Sequence, residues 1–146
     1  MNRLRKDIKD IVAYCKRKVG TNDPFETADC LGILYQIGNI ECEGCYMFLK
    51  KHRYIFLNQD LCDIEMQLVM AHELGHAILH PKENCYFMRN KTLLLTTKVE
   101  LEANSFAAEL LIPDEMLLEN WQYTTEQMSR LTGYPEGLIK LRLSYF

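Results

Sequence analysis

The chain has 146 residues, of which 48% are apolar and 25% charged, with a formal net charge of −3. That length suits a single packed domain over residues 1–146, and the weak negative charge argues against a nucleic-acid or anionic-membrane partner held by overall electrostatics. The opening MNRLRKDIKD is too charged for a signal peptide, and no apolar run reaches the roughly 18 residues of a membrane span, so a cytoplasmic protein is expected.

The N-terminal stretch places Leu4, Ile8, Ile11, Val12, Cys15 and Val19 on one stripe, the period of an amphipathic helix. TNDPFETADCLG follows, with Asp23 as helix cap, Pro24 at the first helical position and Gly32 as the stop. From residue 33 to 57 the segments ILYQI, CYMFL and YIFL are rich in β-formers. The polar run Lys50–Arg53 turns the chain between the last two. These segments predict a small antiparallel sheet of about three strands. The exposed edge of YIFL could pair with an extended peptide, or YIFL could be an ordinary internal strand.

The six cysteines fit free thiols in a reducing compartment better than bridges. Cys42 and Cys45 form one CxxC, but the second pair that a four-thiolate zinc site needs is missing.

Asp63 is the expected cap of the next helix, with Met66 at N3 and no capping box. From Ile64 to Leu79 this helix is apolar nearly all round, which marks it as central and buried. Pro81 ends it. Residues 82–97 read as irregular, and VELEANSFAAELLIP as a further helix stopped by Pro113. Residues 113–146 form a C-terminal helical segment with weak helix-turn-helix character: TTEQMSRL, a turn at Gly133, then PEGLIKLRL carrying Lys140 and Arg142. Two basic residues make a weak footprint for DNA, so packing helices that cap the domain are the preferred reading and direct DNA binding is not expected.

The buried helix carries HELGH, His72 to His76. Residues four apart on a helix are displaced by about 40° and about 6 Å, so His72 and His76 offer two imidazoles to one point. Glu73 lies about 80° from their midline, wrong for a third ligand but suited to taking a proton from water. Two neutral nitrogen ligands, an adjacent carboxylate base and room for water are the parts of a zinc-peptidase centre. Gly75 costs about 1 kcal/mol against alanine in a helix, and its missing side chain would let another element approach closely.

Such a site wants a third protein ligand. Residues 79 and 82 are Leu79 and Lys82, so the extended pattern HExxHxxGxxH fails. His80 is too far round the helix to join easily and reads as a helix-end histidine at the negative dipole end. In the following helix Glu100, Ala103, Asn104, Ala107 and Leu111 share one face, whose small and apolar residues suit close packing. An inward glutamate there needs a partner, and a metal would provide one. Glu102, Ser105 and Glu109 share a polar face expected to meet solvent. Glu100 is therefore the expected third ligand, and Asn104 could orient it or a histidine by hydrogen bond.

HELGH followed by Glu100, Ala103, Asn104, Phe106, Ala107, Ala108, Leu110, Leu111 and Pro113 resembles the ImmA/IrrE family of metallo-endopeptidases. The resemblance covers about a quarter of the chain, with the surrounding elements in matching order. It implies an α+β, zincin-like domain with a small sheet on the active-site helix, mostly helical otherwise. It implies a bacterial protein of phage or mobile-element type that cleaves a helix-turn-helix repressor. His72, His76 and Glu100 would hold zinc, or manganese in its place, and Glu73 would be the catalytic base. The alternative is a non-cleaving anti-repressor or toxin–antitoxin binding module. His80, Tyr86 and Tyr123 are equal candidates for steadying the oxyanion.

Overall fold

The computed structural model describes residues 3–87 and 97–144. In chain order these form α1 (Arg3–Val19), α2 (Pro24–Leu31), β1 (Leu34–Gly38), β2 (Gly44–Leu49), β3 (His52–Asn58), α3 (Asp63–Leu79), β4 (Cys85–Phe87), α4 (Lys98–Leu111), α5 (Asp114–Glu119), α6 (Thr125–Thr132) and α7 (Glu136–Leu143). The expected α+β, zincin-like class is the one found: helices around one small sheet. No helix among the described residues is long and apolar enough to cross a membrane.

Local chemistry explains the first elements. On α1, Ile8, Val12 and Cys15 are buried as the stripe requires, while the side chain of Leu4 lies outside the described residues. Asp23 caps α2, its Oδ1 accepting from the Phe25 N–H at 2.8 Å. Gly32 closes α2 at φ 70°, where a Cβ would be strained.

The sheet differs from the expected antiparallel one. Its order is β1-β3-β2-β4, and β1 pairs with β3 in parallel. The chain reverses from β1 into β2 and again from β2 into β3, so β1 and β3 share a direction. With β3 in the middle they become parallel neighbours. Within YIFL Ile55 and Leu57 are fully buried, as suits an inner strand, while β1 is exposed along most of its length, as suits an edge. YIFL is therefore internal, bonded on both sides, and offers no edge to a peptide. Across its end, the Asn58 side-chain amide donates to the Ile40 carbonyl at 2.9 Å and the Cys42 carbonyl at 3.2 Å. β4 adds a short fourth strand inside the stretch expected to be irregular, and the rest of that stretch, 88–96, lies outside the described residues. Among the described cysteines all are free, and only Cys15 and Cys45 are buried.

The turn between β2 and β3 uses only Lys50 and Lys51, both at positive φ (50° and 67°). Such turns favour asparagine and glycine, because a Cβ is crowded there.

α3 begins one residue earlier than expected. Cys62 is its N-cap, and Glu65 at N3 reaches back to accept from the Cys62 N–H at 3.3 Å, completing a capping box that the sequence had not suggested. From Val69 to Ala77 every residue is buried. The Tyr46 hydroxyl donates to the Pro81 carbonyl, and Arg53 donates to the carbonyls of Ala77 (3.4 Å) and Leu31 (3.1 Å), tying the ends of α3 and α2 to the sheet.

α4 lies across α3 at Gly75. A Cβ built there would stand 2.9 Å from the Ala103 Cα, 3.0 Å from the Ala103 carbonyl oxygen and 3.2 Å from the Phe106 Cβ. The face of Glu102, Ser105 and Glu109, expected to meet solvent, is buried. α1 and α7 also pack on α4, so it has little open side. Arg142 is buried too: its Nε donates to the Ile112 carbonyl at 2.7 Å, and its guanidinium contacts Glu109 (3.5 Å) and Asp114. It latches α7 to the end of α4 and is not at the surface. Lys140, also named for DNA, is exposed and lies 3.4 Å from Glu136.

Two substitutions test this packing by urea unfolding. Gly75→Ala should lose about 1–3 kcal/mol, because backbone atoms cannot yield to the new methyl, against a gain of about 1 kcal/mol in an open helix. Lys51→Gly should gain about 0.5–1 kcal/mol by removing a left-handed Cβ, less the added freedom of the unfolded chain.

Candidate metal centre

The site is built where α3 and α4 touch. His72 and His76, one turn apart on the buried face of α3, bring their Nε2 atoms to 3.1 Å. Thr97 caps α4, its hydroxyl accepting from the Glu100 N–H at 3.4 Å, which sets Glu100 on the first turn. Glu100 Oε2 lies 3.0 Å from His72 Nε2, and Oε1 lies 3.3 Å from His76 Nε2. One ligand atom from each of the three residues falls within 4.8 Å of the others. The structure thus brings together the expected trio, and it is Glu100, not Glu102, that faces the imidazoles.

These separations suit a metal. Zinc held tetrahedrally at about 2.0–2.1 Å requires its ligands to stand about 3.3 Å apart. Glu100 Oε2 is buried and accepts no well-directed hydrogen bond despite the imidazole nitrogen at 3.0 Å. Two imidazoles and one carboxylate match the donor set of a catalytic zinc site that keeps a position open.

The protonation states point the same way. His72 Nδ1 lies 2.8 Å from the Asn104 Oδ1, which can only accept, so Nδ1 carries the proton and Nε2 presents its lone pair. Burial holds the His72 pKa below its usual value, against the opposing contact with Glu100, so the ring is neutral as a ligand must be. For Glu100, burial pushes upward, but the His72 and His76 nitrogens facing it, when they act as donors, outweigh burial and bring its pKa to about 2; a bound cation there would favour the ionised carboxylate in the same way.

Glu73 is fully buried, and neither of its carboxylate oxygens has a hydrogen-bond partner among the described residues. Burial first, and then the charge of Glu100, raise its pKa well above the usual carboxylate range. β2 closes over it at Gly44, where a Cβ would stand 3.5 Å from the Glu73 Cγ and only 2.5 Å from the Val69 Cγ1. A carboxyl enclosed beside two imidazoles, with raised basicity, is suited to accept and release a proton.

The remaining candidates separate clearly. His80 caps the end of α3 as expected, but its Nε2 is also 2.6 Å from Glu102 Oε2. The sequence hid this contact, because Glu102 had been assigned to solvent. Tyr123 is exposed in the segment between α5 and α6, and the side chain of Tyr86 lies outside the described residues.

Comparison with known proteins agrees with this picture. The peptidase M78 family, described as the IrrE N-terminal-like domain, matches residues 29–144. The chain is similar to uncharacterized immunity region protein 2 of Bacillus phage phi105, 37% identical over 139 residues, which covers 92% of this chain and 88% of that protein. It is similar also to metallopeptidase ImmA of Bacillus subtilis strain 168, 31% identical over 146 residues, covering 95% of this chain and 85% of that one. A metal-fitting trio at the crossing of α3 and α4, inside a match that spans most of the chain, leads to one conclusion: the chain belongs to the ImmA/IrrE family of metallopeptidases, as a phage-type member.

Proposed function

We propose that the chain is a metal-dependent endopeptidase that cleaves a helix-turn-helix transcriptional repressor in the bacterial cytoplasm and so releases the genes it silences. The observation that carries this reading is the convergence of His72, His76 and Glu100 with a buried, unpartnered Glu73 beside them. The link to a regulator as substrate is supported by the similarity to a phage immunity region protein.

In this reading His72, His76 and Glu100 would hold the ion, zinc or in its place manganese. When bound, the ion supplies Lewis-acid polarisation of the scissile carbonyl and makes water more acidic. Asn104 keeps His72 in the tautomer that leaves Nε2 free. Glu73 receives the proton of the attacking water on a carboxylate oxygen and returns it to the leaving amine. The walls formed by β2 and α4 keep bulk water from Glu73, so its basicity stays raised.

The test mixes purified protein with its repressor, with and without a chelator. Cleavage should require metal and stop on chelation, and Glu73→Gln should lower the rate by about 10²–10⁴-fold while leaving metal content unchanged. A repressor left intact in the presence of metal, or a Glu73→Gln protein with full anti-repressor effect, would favour the non-cleaving binder and sink the peptidase reading.

Metal content by mass spectrometry tests the ligands. Glu100→Ala and His76→Ala should each lose the ion. Asn104→Ala should keep it with about 10–100-fold weaker affinity, as expected when the partner that orients a ligand histidine is removed.

A further inference from the structure

Glu100 stands on the first turn of α4, and its height above the two histidines depends on how that turn packs against α3. The Gly75–Ala103 contact holds the crossing point, and His72–Asn104 holds the turn beyond it. Neither reaches the N-terminal side of Ala103, where Glu100 projects.

One contact does. His80, four residues after His76, places Nε2 2.6 Å from Glu102 Oε2. Glu102 is only 5% exposed, and His80 Nε2 is enclosed beside it in a close contact that is not a well-directed hydrogen bond. Lys98 also lies near Glu102, at 4.0 Å on a largely exposed side chain, which makes it a weak holder. His80 is itself fixed as the cap of α3, its N–H donating to the His76 carbonyl at 2.8 Å. The contact thus runs from the turn that carries His76 to the turn that carries Glu100.

We propose that His80 and Glu102 are a positioning pair, which sets Glu100 at the right height for the metal held by His72 and His76. The inference rests on the metal reading of that trio. Its role is geometric: a small slide of the α4 first turn would draw the carboxylate away from the point that the two imidazoles define. Glu102, two residues from Glu100, moves with it as one rigid turn.

The test uses the full-length protein, freed of metal and titrated with Co²⁺, whose visible absorption reports the number and arrangement of ligands. Wild type should bind one equivalent with the intense bands of a four-coordinate ion. His80→Ala and Glu102→Ala should each weaken binding about 10–100-fold and shift or weaken those bands. Because they break the same contact, the double variant should be no worse than either single. His80→Gln, which keeps an N–H donor at similar reach, should recover most of the affinity, and Lys98→Ala should match wild type. Urea midpoints read in parallel separate loss of fold from loss of site, and if His80→Ala does not fold, Glu102→Gln with His80→Gln carries the comparison. Wild-type affinity and spectrum in His80→Ala, or single effects that multiply in the double variant, would overturn the pair. Failure of wild type itself to bind Co²⁺ would instead remove the metal reading beneath it.

Discussion

The whole arrangement depends on how closely α4 can approach α3. That distance is set by a missing side chain on α3, Gly75, against the backbone of α4 at Ala103. A side chain at Gly75 would hold the helices apart, and Glu100 would be drawn from the Nε2 atoms of His72 and His76. The same closeness removes α4 from solvent on the α3 side, and α1 and α7 cover more of it. The glycine is unfavourable to an isolated helix, and its cost is offset by the packing it permits.

Close packing creates an electrostatic problem that the fold resolves unevenly. Glu109 receives Arg142, Glu102 receives His80, and Glu100 receives the two imidazoles. Glu73 receives nothing among the described residues, although it is the most deeply enclosed of these carboxyls. A buried carboxyl without a partner is costly, and such groups gather where a reaction needs them. The pattern sets Glu73 apart from the glutamates that hold helices in place, and it does so without reference to any motif.

Much of the site was legible in the sequence because it is written in helix geometry. The four-residue spacing of His72 and His76 fixes their convergence, and the small face of α4 singled out Glu100 from its neighbour Glu102. Strand order was not legible, because apolar alternation says which residues form strands but not which strand lies between which. The internal place of YIFL and the parallel pairing of β1 follow from competition for the middle of the sheet. The face of Glu102, Ser105 and Glu109 was misread for a related reason. A polar stripe points to solvent only if no other element arrives to cover it, and here the covering groups, His80 and Arg142, come from distant parts of the chain. The caps of α2 were readable because Asp23, Pro24 and Gly32 act within one turn. The start of α3 was misplaced by one residue because a cysteine is a poor advertisement for a cap.

The side chain of Asn58 has a consequence for how the sheet assembles. β1 and β2 are consecutive and run in opposite directions, with only residues 39–43 between them, so a simple hairpin of those two is a local pairing open to the chain. The native sheet forbids it, because β3 must lie between them. By donating to two carbonyls of the connecting loop, Ile40 and Cys42, the Asn58 amide holds that loop open across the end of β3 like a spreader bar. The tight hairpin of β2 and β3 can form first, and β1 then joins its free side. Since β2 is also the wall over Glu73, the strand order that Asn58 braces is the same order that encloses the base.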